Sequence, residues 1–144
     1  MSYKGRYKPQ NPHKYDGDPT TIIYRSLLER RFMVYCDTKS HILKWSSEEV
    51  VIPYVSPIDN RYHRYFVDFM IQYKDGSGAL RTVLVEVKPK SQTSPPKRPE
   101  GKLTRRFLTE VKTWGVNEAK WKAAMEYCAD RKWHFQLITE KELT

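Results

Sequence analysis

The chain has 144 residues, a formal net charge of +9 and a pI near 9.5, and aromatic residues make up 13% of it. That length suits one domain with a core of useful size, and aromatic residues gathered in periodic segments exclude a disordered chain. The charge points to a polyanion such as nucleic acid as partner, against the plainer reading that it only keeps the protein soluble. No apolar stretch approaches a membrane span and no signal peptide is evident, so a cytosolic protein is expected.

Residues 1–19, rich in Tyr, Lys, Pro and Asn and without periodicity, read as a basic N-terminal arm. Its Tyr3, Tyr7 and Tyr15 are expected to stack on bases or to dock on a protein partner. Thr20 or Thr21 then caps a helix running to about Asp37, with Ile23, Leu27, Leu28, Met33 and Tyr35 on its apolar face. Ile42–Trp45 follows, then a strand over Val50–Val55 that Pro53 interrupts or places at an edge, and a turn at Ser56–Asn60. Two strands, Arg64–Ile71 and Thr82–Lys88, flank a turn at Asp75–Gly78 and read as an antiparallel hairpin.

After Pro89 a Ser/Pro/Lys-rich loop reaches Pro99. A short amphipathic helix follows with Phe107, Leu108, Val111 and Trp114 at helical spacing. Asn117 is expected to cap a further helix whose buried stripe is Trp121, Ala124, Met125 and Cys128. Trp133–Ile138 alternates as a final strand, and Thr139–Glu142 offers a capping box. The order is helix, three strands, helix, helix, strand: an α/β chain with a mixed central sheet flanked by helices, forming a single domain over residues 20–144. Cys36 and Cys128 read as small buried apolar residues in a reducing compartment. Neither zinc-ligand spacing nor a base-reading module is present in the sequence.

The charge is unevenly placed. From Lys88 to Arg106, seven Lys/Arg stand against one acid, Glu100, so this span carries +6 of the +9. It begins at the motif richest in chemistry, Asp68 followed after seventeen residues by Glu86-Val87-Lys88. Strand side chains alternate, so Glu86 and Lys88 share one face while Val83, Val85 and Val87 share the other. An ionised carboxylate in so apolar a strand is costly unless compensated. Two carboxylates from paired strands, with a lysine beside one, suit a hard divalent cation and metal-assisted hydrolysis of a phosphodiester. The bland alternative puts Asp68 at a hairpin edge and makes Glu86–Lys88 a surface ion pair worth little. Glu29 is the third carboxylate of interest; it serves either an acidic site or an i, i+4 pair with Arg25. His63, Arg64 and Lys120 either reach the site and its phosphate or remain solvated surface groups.

The chain resembles the TnsA-like endonuclease N-terminal family over roughly residues 20–143. The marks are Tyr24-Arg25-Ser26-Leu27-Leu28-Glu29, Trp45 ahead of Ile52-Pro53-Tyr54, and Arg64-Tyr65-Phe66-Val67-Asp68-Phe69. Glu86-Val87-Lys88-Pro89, Asn117 with Lys120-Trp121, and Ile138-Thr139-Glu140 with Leu143 complete them. Val67 departs from the proline that relatives often carry before the aspartate. The resemblance implies a restriction-endonuclease-like fold and a metal-dependent DNA endonuclease. It implies catalytic roles for Glu29, Asp68, Glu86 and Lys88, with Mg²⁺ (Mn²⁺ substituting) held by Asp68, Glu86 and the Val87 carbonyl.

Lys90, Lys97, Arg98, Lys102, Arg105 and Arg106, with His63 and Arg64, would then contact DNA phosphates without reading sequence. The arm motif Asn11-Pro12-X-Lys14-Tyr15-X-Gly17-Asp18-Pro19 further resembles phage head-completion nucleases. That likeness implies action in head completion and packaging maturation, in the host cytoplasm or on the virion, with head or portal proteins as partners and a homodimer left open. The rival readings are a non-cleaving head or neck protein that binds DNA ends, and a transposase-type nuclease subunit that needs a partner.

Overall fold

The computed structural model describes residues 3–143; residues 1, 2 and 144, at the ends of the expected arm and nuclease domain, lie outside the described residues. In chain order the elements are β1 (Gly5–Arg6), β2 (Ile23–Tyr24), α1 (Leu27–Thr38), β3 (Ile42–Ser47), β4 (Val51–Val55), β5 (Tyr62–Phe66), β6 (Phe69–Lys74), β7 (Leu80–Val87), α2 (Arg105–Arg131) and β8 (His134–Ile138). The central sheet has the order β3-β6-β7-β8, with β3, β6 and β7 antiparallel and β8 parallel to β7. A separate ribbon pairs β4 with β5, and β1 pairs with β2. This is a mixed α/β architecture. No helix among the described residues is long and apolar enough to cross a membrane.

Alternation along β7 sorts the core into two layers. Val83, Val85 and Val87 face α1 with Phe32, Met33, Cys36, Trp45 and Phe69, while Leu84 faces α2 with Trp121, Ala124 and Cys128. Each fully buried side chain such as Phe32 or Phe69 removes apolar surface worth about 2 kcal/mol from water. Cys36 and Cys128 are both free and buried, in different layers.

Several local expectations are corrected. The strand expected over 64–71 is two strands, broken at Val67-Asp68: β5 belongs to the ribbon and β6 to the central sheet. Tyr65 and Val67 face the α2 layer, as does Met70, and those positions cannot share one face of an unbroken strand. The phase therefore shifts next to Asp68, and parity no longer relates Arg64 to it. Helix α1 starts at Leu27, not near Thr20, because Asp18 turns the chain by accepting from the Thr20 amide (2.9 Å) and Ser26 provides the cap (Glu29 N to Ser26 Oγ, 3.1 Å).

The two C-terminal helices are one. Thr104 caps it by accepting from the Phe107 amide (3.0 Å), and Asn117 lies buried inside it, in a stripe with Trp121, Ala124 and Cys128. Leu108, Val111 and Met125 are exposed. Tyr7 and Tyr15 are unavailable for stacking on bases: both are buried, edge-on to Trp45 at centroid distances of 6.1 and 4.8 Å. Apolar ring area drew this polar-looking segment onto the sheet; Tyr3 alone of the three is exposed.

Candidate active site

Because β6 and β7 run antiparallel, the start of one and the end of the other meet at the same edge of the sheet. Phe69 pairs with Val85, so Asp68 enters β6 beside Glu86 as it leaves β7. Glu86 points into the α2 layer and is 4% exposed. Its Oε2 accepts from the Trp121 indole N–H (3.1 Å). The Tyr65 hydroxyl is buried next to the same carboxylate without a hydrogen bond of ordinary geometry, and burial with the Glu86 charge pushes its pKa up. Asp68 accepts from the Val87 amide (2.9 Å). Burial and then the neighbouring Glu86 charge hold the Asp68 carboxyl well above the usual carboxylate range, with a smaller push from Glu29.

Lys88 is half-buried just past β7, on the Glu86 side by alternation, with its amide bonded to the Ile138 carbonyl (2.9 Å). It makes no ion pair among the described residues, so the bland Glu86–Lys88 surface pair is not formed. Glu29 occupies the first turn of α1, where its carboxylate is raised by burial, opposed by hydrogen bonds at the helix start. Nor does Glu29 form an ion pair with the Arg25 guanidinium, which lies outside the helix and grips Glu48 through two bonds of 2.8 and 3.1 Å.

Sequence reasoning missed Glu48. Its backbone is left-handed (φ 56°), an unusual state for a non-glycine residue, and its amide bonds the Asp68 carbonyl (3.1 Å). It therefore fixes the chain break that presents Asp68. The link from Trp121 to Glu86 was missed for a different reason: helical spacing shows that Trp121 is buried but not which atom its N–H meets. Lys120, half-buried, places its ammonium 5.5 Å from the Tyr65 ring and 5.8 Å from that of Tyr54, at the margin of the site.

The donors at the sheet edge are all hard oxygens. Besides the two carboxylates, the Val87 carbonyl lies on the Asp68 side of the strand, because the N–H of the same residue points there. Two close carboxylates, one destabilised by burial and by the other's charge, fit a hydrated divalent cation. Among the described residues no group of three or more His, Cys, Asp and Glu side chains converges as a ligand cluster, although the Glu29 charge is near enough to act on Asp68.

Lys90, Lys97, Arg98, Lys102, Arg105 and Arg106 are all exposed along the loop and first turn of α2. The Glu140 carboxylate anchors the start of that loop by accepting from the Lys90 amide (3.0 and 3.1 Å). His63 is held by Asp59 (2.8 Å), and the Arg64 guanidinium rests 5.5 Å from the Phe66 ring. Both are exposed on the ribbon that leads to Asp68.

The model of the TnsA-like endonuclease N-terminal family matches residues 39–140, which include Asp68, Glu86 and Lys88. The head completion nuclease of Enterobacteria phage T4 is 41% identical over 146 aligned residues, covering 99% of this chain and 95% of that protein. With the mixed sheet and its two acidic strands in place, the chain belongs to the TnsA-like endonuclease N-terminal family and has its restriction-endonuclease-like fold.

Proposed function

We propose that this chain is a metal-dependent DNA endonuclease that hydrolyses phosphodiester bonds during phage head completion. The observation that carries the chemistry is the buried Asp68–Glu86 pair on adjacent strands, with Lys88 unpaired beside it. The head-completion role rests on the likeness to the T4 protein. Asp68, Glu86 and the Val87 carbonyl would hold Mg²⁺, with Mn²⁺ substituting. Bound there, such a cation supplies a water of lowered pKa and offsets charge on the phosphate.

The chain's own groups do the rest. Trp121 holds the Glu86 carboxylate through its N–H, which limits the rotamers that carboxylate samples. Lys88 orients the attacking water or stabilises the negative charge that builds on the phosphate oxygens. Glu29 positions water from the first turn of α1. The exposed basic residues from Lys90 to Arg106, with Arg64, hold backbone phosphates and make affinity fall steeply with salt. DNA is thus the substrate, head or portal proteins are the partners, and the host cytoplasm is the place of action.

The test is cleavage of linear and branched DNA with Mg²⁺ or EDTA, alongside Glu86→Ala and Lys88→Ala. Cleavage should require the cation and fall about a thousandfold in each variant, with DNA binding retained. Binding without cleavage on every substrate would favour a structural DNA-end protein; cleavage only with a second protein added would favour a partner-dependent nuclease. Full heads and normal infectious particles in an infection lacking this protein would sink the head-completion role.

A further inference from the structure

A cavity of about 450 Å³ lies between the loop after β7 and the first half of α2. Asn117 sits at its inner end. That residue is 7% exposed, faces the cavity from mid-helix, and makes no side-chain hydrogen bond with any described residue. Its amide atoms are not sealed off from solvent but open to the cavity, where an amide offers a donor and an acceptor side by side. That pair matches the edge of a nucleobase, as in the two-bond contact of Asn with adenine.

Trp114, half-buried, lines the cavity one turn earlier. Its ring stands edge-on to Trp121 at 5.6 Å, and Trp121 in turn bonds Glu86. The inner end of the cavity is therefore two rings from the acidic pair. At the outer end is Arg106, which pairs with Glu110 on the next turn (3.0 Å). Its side chain is 91% exposed, so this pair is weak and leaves the guanidinium free to turn to a phosphate. The volume is that of a small-ligand pocket, too small to admit a duplex.

The geometry points to a pocket for one unpaired deoxynucleotide beside the scissile phosphate, its base stacked on Trp114 and bonded to Asn117, its phosphate on Arg106. The inference rests on the nuclease reading and adds its substrate class: DNA with an unpaired nucleotide at an end, flap or branch is preferred over continuous duplex.

Fluorescence anisotropy of the full chain in EDTA tests this, with a plain duplex and the same duplex carrying one unpaired 2-aminopurine. The unpaired DNA should bind about tenfold tighter, with its fluorescence quenched by stacking. Asn117→Leu and Ser94→Trp should each bring the affinity ratio close to one. Ser94 is an exposed loop residue of the cavity wall, so its replacement fills the pocket without disturbing the core and decides the matter if Asn117→Leu fails to fold. A ratio near one in the unaltered protein, or a ratio kept by both folded variants, overturns the inference. Equal Mg²⁺-dependent cleavage of duplex and unpaired DNA also overturns it, while leaving the nuclease. Preferential binding with no cleavage of any DNA would sink the nuclease reading and keep the pocket.

Discussion

Asp37 and Asp68 are both aspartates drawn out of water, and their surroundings treat them oppositely. Asp37, at the end of α1, has no exposed surface, yet its carboxylate accepts from the Tyr7 hydroxyl (2.6 Å) and the amides of Gln10 (2.7 Å) and Asn11 (2.9 Å). Burial pushes its carboxyl up, the hydrogen bonds outweigh that push, and its pKa is lowered. Asp68 accepts from the Val87 amide and faces Glu86, so burial and then the Glu86 charge raise its pKa. Enough donors turn a buried carboxylate into a structural tie, here one that fastens residues 7–11 to α1. Too few donors and a second carboxylate leave one with unmet affinity for a cation.

The contrast is open to attack. Asp37→Ala strands three donors and should cost about 3 kcal/mol, read as a lower urea midpoint at constant slope. An unchanged midpoint would remove the contrast altogether. Acid gives an independent check on the same residue. Its folded pKa lies below the unfolded value of about 3.9. The stability it contributes is therefore present above that value and lost as pH falls through the folded pKa. Thermal melts from pH 6 to 3 should fall more steeply for the unaltered protein than for Asp37→Asn.

Around the acidic pair the expected effects are smaller and partly of opposite sign. Trp121→Phe removes the donor to Glu86 and should cost about 1.5 kcal/mol of stability and about tenfold in cleavage rate. Asp68→Asn removes a buried charge facing another and should raise stability by about 1 kcal/mol while abolishing cleavage. Marked destabilisation by Asp68→Asn would mean that Asp68, like Asp37, is a structural tie. Tyr65→Phe removes a buried hydroxyl that has no well-formed hydrogen bond and should shift stability by less than about 0.5 kcal/mol.

Much of the frame was legible in the chain. The hairpin that brings Asp68 next to Glu86 follows from two apolar runs around Asp75–Gly78, and the register bears it out. The alternation that sends Val83, Val85 and Val87 to one layer and Glu86 to the other was readable for the same reason: period two is a local property. The final strand and the two buried cysteines were legible too. The break at Asp68 was not, because residues 64–71 look uniformly strand-like and only the competing demands of two core layers force the phase shift. Nor was the start of α1, where Thr20, Thr21 and Ser26 are all plausible caps and the pairing of Ile23–Tyr24 with Gly5–Arg6 decides among them. The continuity of α2 escaped because Gly115 and Asn117 resemble a stop and a cap, whereas burying Asn117 and Trp121 against the sheet carries the helix through them.

The sequence alone determined what depends on neighbours in the chain: apolar periodicity, the acidic motif, the density of basic residues after Lys88, and the family marks. Tertiary structure decided which polar groups meet. It joined Tyr7 to Asp37, Arg25 to Glu48 and Trp121 to Glu86, over separations of 30, 23 and 35 residues, and it set the Tyr65 hydroxyl beside the Glu86 carboxylate without a well-formed hydrogen bond. A hydrogen bond forms or fails over a few tenths of an ångström. Packing sets that distance, and residue spacing along a chain carries no trace of it.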